Sequence, residues 1–430
     1  MKELLTLSGL GVFAMLAEMF NLKRWLIFPI VLVGLSSCIA FSIHDYYSME
    51  VLWGMLRMDK FAMLFNILMC SLAVLWLALS EEYFETKKSI SDHYALICFI
   101  LTGGLMMVSF LNLTILFLGI EILSISLYVL AGSQKSDVRS NEAAFKYFLM
   151  GSFASGFLLF GFALIYGVTG SLDIRTIGTK IGELFLTGES LPLLTMAVLM
   201  ILVGIGFKVS AAPFHFWAPD VYQGSPTVIT AFMASVVKTV AFGAFYRLFY
   251  LCFPSLHSSW ADIVEVMIVL TLLIGNVSAV MQTDAKRMLA FSSVSNAGYM
   301  LFAMIAISSA AAQGLIFYSA SYSLASITAF AVLYIVSLSR NGITDMSIFD
   351  GLGKTNPLLA AAMTLALLSM AGIPPLSGFM AKYFLFANAI HDGNMGLVLF
   401  AIAMSLIGVY YYFIIIIGMY FHEQIGRAHV

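Results

Sequence analysis

Charge is what this 430-residue chain has least of: only 10% of its residues are Asp, Glu, Lys or Arg, against about 25% in a soluble domain. Water is therefore excluded as its main solvent. A net charge of −2 at pH 7 offers no basic surface on which a nucleic-acid backbone could be held. Cysteine is scarce too. Cys38, Cys70, Cys98 and Cys252 lie in or near apolar runs with no Cys-x-x-Cys pairing, which argues against a disulfide framework and a zinc site and leaves small packing thiols. Cluster-type cysteine motifs, a glycine-rich dinucleotide loop after a strand and a phosphate loop are missing, so no redox, cofactor or nucleotide site is visible. A cleavable signal peptide is missing as well, and the first helix is expected to stay as a span.

Apolar length is what the chain has in abundance: 61% of its residues are hydrophobic and its mean hydropathy is +0.98. Runs of roughly 20 residues, enough to span a hydrocarbon core as a helix, recur throughout. They predict thirteen helices near 3–21, 25–43, 59–80, 92–110, 112–132, 142–168, 191–218, 225–252, 260–282, 287–308, 313–338, 355–388 and 394–421. No stretch is left for a soluble domain, so residues 1–424 are expected to form one polytopic all-α membrane domain. Cytoplasmic loops are enriched in Lys and Arg. With the N-terminus outside, Lys23, Arg24, Lys87, Lys88, Lys135, Arg139, Lys146, Lys286, Arg287, Arg340 and Lys354 face the cytoplasm. Only Lys2, Arg57, Lys60, Arg175, Lys180 and Arg247 face outward, and Arg427 sits in the tail.

Lys208, Lys238 and Lys382 fall inside apolar runs, and so does Glu121. A charged residue at the bilayer centre costs roughly 2.5–3.5 kcal/mol on the mildest scale, about 8–10 kcal/mol for three lysines. Snorkelling stems or neutral hydrogen-bonded residues are the bland explanation for any one of them. For four together, function is the better one. Burial disfavours an ammonium and a nearby carboxylate favours it, so making or breaking such a pair switches protonation, which is what a proton relay needs. Two of the lysines also sit beside helix breakers: Lys208 precedes Pro213, and Lys382 follows Pro374 and Pro375. Proline frees backbone carbonyls, and broken helices at matching places in two halves point to an inverted-repeat transporter. His215, seven residues after Lys208, is a weaker relay candidate balanced by a packing role. The 26 Met and 36 Phe residues read as lipid-facing and interhelical packing.

Two stretches carry a resemblance. Phe117 to Leu130 (Phe-Leu-Gly-Ile-Glu-Ile-Leu-Ser-Ile-Ser-Leu-Tyr-Val-Leu), with Ser140 to Gly156 after it, resembles subunit N of respiratory complex I. Pro213 to Thr227 (Pro-Phe-His-Phe-Trp-Ala-Pro-Asp-Val-Tyr-Gln-Gly-Ser-Pro-Thr) is similar to the signature shared by antiporter-like complex I subunits and multisubunit cation/proton antiporters. The first stretch separates subunit N from those relatives. The similarity implies a fourteen-helix fold with inverted five-helix repeats, about 92–252 and 260–421, and broken seventh and twelfth helices. It implies that Glu121 pairs with Lys208, that Lys238 is the central relay residue and that Lys382 is the exit-side lysine.

The implied function is proton translocation within NADH:quinone oxidoreductase of a bacterial plasma membrane, driven by redox chemistry elsewhere. NADH, FMN, iron-sulfur clusters and quinone (ubiquinone among them) would be bound by other subunits. Partners would be subunit M, the small subunits K and J and the lateral helix of subunit L. The alternative is a subunit of a free-standing cation/proton antiporter. An inert membrane scaffold, and a metal enzyme using His215 and Asp220, have less support. Against the family pattern the fourteenth helix is missing, which suggests a truncated gene. The terminal 425–430 segment reads like a translated sequencing adapter and is expected to be non-native.

Overall fold

A computed structural model describes residues 1–17, 19–20, 24–85, 90–187 and 191–423. Lys23, Lys87, Lys88, Arg427 and the 425–430 tail lie outside the described residues. The fold follows from a solvent that satisfies no backbone group: every amide in hydrocarbon must be bonded within its own segment, which selects helices. A helix lies under each of the expected runs, and ten among the described residues are long and apolar enough to cross a membrane. Thr227–Cys252 and Ala285–Ala306 are enclosed by protein along their whole apolar windows. Val138–Thr169 instead turns Phe145, Phe148, Phe153 and Phe160 outward, the face expected of a lipid-exposed helix.

Both proline-marked runs are broken. The helix Leu191–Lys208 stops at Lys208, Ser210 adopts a left-handed backbone with φ 62°, and the chain turns through Pro213 before Trp217–Gly224 resumes. Pro357–Ala371 stops at Gly372, with φ 86°, and Ser377–His391 follows beyond Pro374 and Pro375.

Among the described residues, several short elements fall outside the expected map, and three of them are larger or lie near a buried charge. Residues between 168 and 191, expected as a loop, include the helix Ile174–Thr187 with Ile174, Ile177 and Ile181 buried; that spacing makes a one-faced surface helix too short to span. A short antiparallel hairpin pairs Glu50–Leu52 with Leu56–Met58. A π-helical turn, Met233–Val237, interrupts Thr227–Cys252 immediately before Lys238.

By packing, the chain divides into two compact units: Met1–Val209 with Val236–Val264, and Ser210–Ser235 with Glu265–Val430. In the first, small residues let helices touch backbone to backbone. A Cβ on Gly103 would lie 2.6 Å from the Gly119 carbonyl oxygen, and one on Gly161 would lie 2.8 Å from Ile201. Arg247, 3% exposed, is held by both Asp59 carboxylate oxygens at 3.0 and 2.9 Å and donates to the Phe110 carbonyl at 2.9 Å. In the second unit Lys286 donates to the carbonyls of Gln223 (3.1 Å) and Ser225. Arg287 reaches Asp220 and the Gln223 side chain, each at 2.8 Å. Lys286 thus closes the C-terminal end of Trp217–Gly224, where carbonyls lack helical partners, while Arg287 ties two of the helix's side chains together.

Candidate functional site: the buried charges

Glu121 and Ser124 are three residues apart on Leu113–Ala131 and therefore share one face. Lys208, the last residue of its helix and 8% exposed, donates from Nζ to Ser124 Oγ at 2.7 Å. Glu121 accepts from Ser155 Oγ at 2.5 Å and stands within Coulombic reach of Lys208. Among the described residues no direct ion pair joins the two, so Ser124 and not the carboxylate receives the ammonium's hydrogen bond. Tyr128, one turn beyond Ser124, fits only because residue 151 is glycine: a Cβ there would lie 2.0 Å from the Tyr128 hydroxyl oxygen. The result is a polar cluster inside one unit, able to hold a proton on nitrogen or release it with a carboxylate near.

Lys238 is 2% exposed and directly follows the π turn. A π turn displaces the residues after it around the helix axis and recurs at functional sites. Ser235, three residues before Lys238, donates to the Ala231 carbonyl at 2.6 Å, leaving only its oxygen as an acceptor. Lys382, 8% exposed in the second unit, donates to the Ala371 carbonyl at 2.9 Å and lies 4.3 Å from the centroid of the Tyr299 ring. The carbonyl is one that the break after Ala371 leaves free. A Cβ on Gly372 would lie 3.1 Å from the Lys382 stem, so both the left-handed backbone and the lysine's position demand glycine there.

His215 is 3% exposed, packs 4.6 Å from Phe216 between ring centroids, and has a buried Nδ1 without a hydrogen-bond partner. No hydrogen bond joins it to Lys382 among the described residues. Asp220 is engaged with Arg287 at 2.8 Å. Among the described residues no three His, Cys, Asp or Glu side chains gather as metal ligands would.

Sequence reasoning passed over Ser124, Ser155, Tyr128, Tyr299 and Gly372. Ser124 could have been found from its three-residue offset to Glu121, whereas Ser155 and Tyr299 reach their places only through helix packing.

A sequence profile described as "NADH:quinone oxidoreductase/Mrp antiporter, TM" matches residues 111–408, the part that contains all four buried charges and both breaks. NADH-quinone oxidoreductase subunit N of Cytophaga hutchinsonii is 44% identical over 428 residues, covering 99% of this chain and 92% of the relative. Among solved structures, a chain of respiratory complex I from Thermus thermophilus superposes with a TM-score of 0.82 at 31% identity, covering 99% of this chain and 92% of its own. A chain of the Mrp complex from a Dietzia species reaches 0.88 at 24% identity, covering 98% and 80%, a likeness of fold. With family profile, near-complete relatives and solved fold in agreement, the chain belongs to the NADH-quinone oxidoreductase subunit N family, the antiporter-like membrane subunits of respiratory complex I.

Proposed function

We propose that this chain moves protons through a buried relay of Glu121, Lys208, Lys238 and Lys382, with His215 as a secondary member. As a subunit N family member it is an antiporter-like, proton-pumping subunit of NADH-quinone oxidoreductase. The observation that carries the relay is the Glu121–Ser124–Lys208 cluster. A lysine at a broken helix end, hydrogen-bonded to a neutral hydroxyl with a carboxylate close by, holds or releases its proton according to the charge on that carboxylate. Charge arriving at Glu121 or leaving it shifts Lys208. Lys238, after its π turn, is the hub that receives the proton, and Lys382 is the exit-side residue.

On this proposal the chain itself carries no redox centre. NADH, FMN, iron-sulfur clusters and quinone act in other subunits, and subunits M, K, J and the lateral helix of L are its neighbours. The setting is the bacterial inner membrane with the N-terminus outside. Residues 92–252 and 260–421 act as inverted repeats within the single 1–424 domain.

Lys238 tests the relay. Replacement by Met keeps the stem and removes charge and proton, whereas Arg keeps the charge and refuses to release it, its pKa being above about 12. Purified complexes in sealed vesicles are expected to assemble with either variant while proton translocation coupled to NADH oxidation falls. Full translocation by both variants would refute the role. The antiporter reading rests on the fold shared with the Mrp chain; it requires cation/proton exchange in vesicles that hold this chain without the NADH-oxidising subunits.

A further inference from the structure

Lys382 faces no carboxylate: among the described residues it takes part in no ion pair. Its hydrogen bond goes to the Ala371 carbonyl at 2.9 Å, and its charge rests 4.3 Å from the Tyr299 ring centroid. Neither group can pass a proton onward, since a peptide oxygen and an aromatic face carry no O–H or N–H of their own to release as they accept one. A relay residue needs a transferable acceptor. A cavity of about 10 Å³ adjoins it, lined by Asn296, Tyr318, Ser321, Tyr322, Ser369 and Lys382 among others. That is the space needed for the centre of one water, and the lining is polar enough to bond it.

The orientation of the lining is fixed by hydrogen bonds. Asn296 Nδ2 donates to the Ser292 carbonyl at 2.9 Å, which turns its amide oxygen to Tyr318, whose hydroxyl donates to it at 2.8 Å. Ser292 Oγ is bonded in turn to the Tyr412 hydroxyl. Ser321 donates to Ser377 at 2.8 Å, and the Gly378 amide donates to Ser369 Oγ at 3.2 Å. The Tyr318 proton is thus committed to Asn296, and its oxygen lone pairs remain as acceptors.

We propose that this cavity is a binding site for one water that accepts the Lys382 proton, and that Tyr318, set by Asn296, is the positioning residue that orients it. A water donating one O–H to the Tyr318 oxygen turns a lone pair toward Nζ. In the transfer an Nζ–H bond breaks as an O–H bond forms on the water, which in the same step releases its other proton to a water beyond the cavity, leaving a neutral lysine and a neutral water; reprotonation runs in reverse. This inference rests on the relay role of Lys382, and the experiment separates the two.

In the assembled complex, Tyr318→Phe removes the acceptor and keeps the ring. Coupled NADH oxidation is expected to fall about five- to tenfold, with a larger solvent deuterium isotope effect, below the roughly 100-fold of a positioned general acid because a second water can enter the vacated space. Asn296→Ala, which frees the Tyr318 proton, is expected to give a smaller loss in the same direction. An assembled Tyr318→Phe complex with the native rate and isotope effect overturns the proposal. Should the variant fail to assemble, a map of the native complex that resolves waters decides. One ordered water within about 3.2 Å of both Lys382 Nζ and Tyr318 Oη supports the proposal, and a site without it overturns it. Full pumping by Lys382→Met would instead overturn the relay reading itself.

Discussion

A charged residue inside this fold is stable only by the company it keeps, and that company differs from lysine to lysine. Lys208 has a serine hydroxyl, Lys382 a carbonyl and an aromatic face. Ser124→Ala leaves a buried ammonium without its acceptor, a loss of about 1–3 kcal/mol. The assembled variant is expected to melt several degrees lower and to pump more slowly, with Ser124→Thr restoring both; an unchanged Ser124→Ala complex would remove Ser124 from the site. Arg247 is the contrasting case, a structural charge. Removing its partner through Asp59→Ala strands a buried guanidinium, at a cost of about 3–5 kcal/mol, and the deficit is expected in yield of assembled complex more than in protons moved per NADH. A normal yield with impaired coupling would shift Arg247 from structure to function.

At the scale of the element, the breaks decide where the lysines sit. Gly372 ends Pro357–Ala371 in a left-handed conformation against the Lys382 stem. Gly372→Ala adds strain of about 1 kcal/mol or more and pushes the lysine from its carbonyl. Coupling is expected to suffer more than assembly, while native coupling would show that the break tolerates rearrangement. The surface helix Ile174–Thr187 depends on Asp173, which precedes it. Burial works to raise that carboxyl's pKa, but the backbone amides of Thr176 and Arg175 and the Arg175 side chain hold it below the ordinary value. Such a group stabilises the fold fully above its unfolded pKa of about 3.9 and loses that contribution as pH falls through the lower folded value. The protection of amides in 174–187, taken relative to the intrinsic exchange rate at each pH, is therefore expected to fall below about pH 4, and Asp173→Asn to abolish that pH dependence. Protection that stays flat with pH in the native chain would show the cap to be idle.

For the whole molecule the testable property is orientation. On the proposed orientation, with the N-terminus outside as the distribution of Lys and Arg favours, a single cysteine in the Glu50–Met58 hairpin of a cysteine-depleted complex is expected to react with an impermeant thiol reagent added outside cells. One near Gly342 should react only after the membrane is opened. The reverse pattern would invert the topology. Helix existence and both breaks were legible because length, apolar content and proline are properties of the chain taken one segment at a time. The hairpin and the Ile174–Thr187 helix were not recognised, though the latter's Ile174, Ile177 and Ile181 spacing was there to be counted.

By itself the sequence determined the solvent, the helical fold and the four charged residues set inside runs where hydrocarbon rejects charge. Each is a matter of composition or of charge set within an apolar run, and no neighbour distant in the chain can change it. Only the tertiary structure decided which groups answer those charges. Ser155 comes to Glu121 across 34 residues, Ser124 to Lys208 across 84, and the Tyr299 ring comes to Lys382 from another helix. Such partners are small hydroxyls and rings of kinds found all along the chain. What singles them out is direction, set where helices close on glycine and where a carbonyl left free by a broken helix draws a lysine inward.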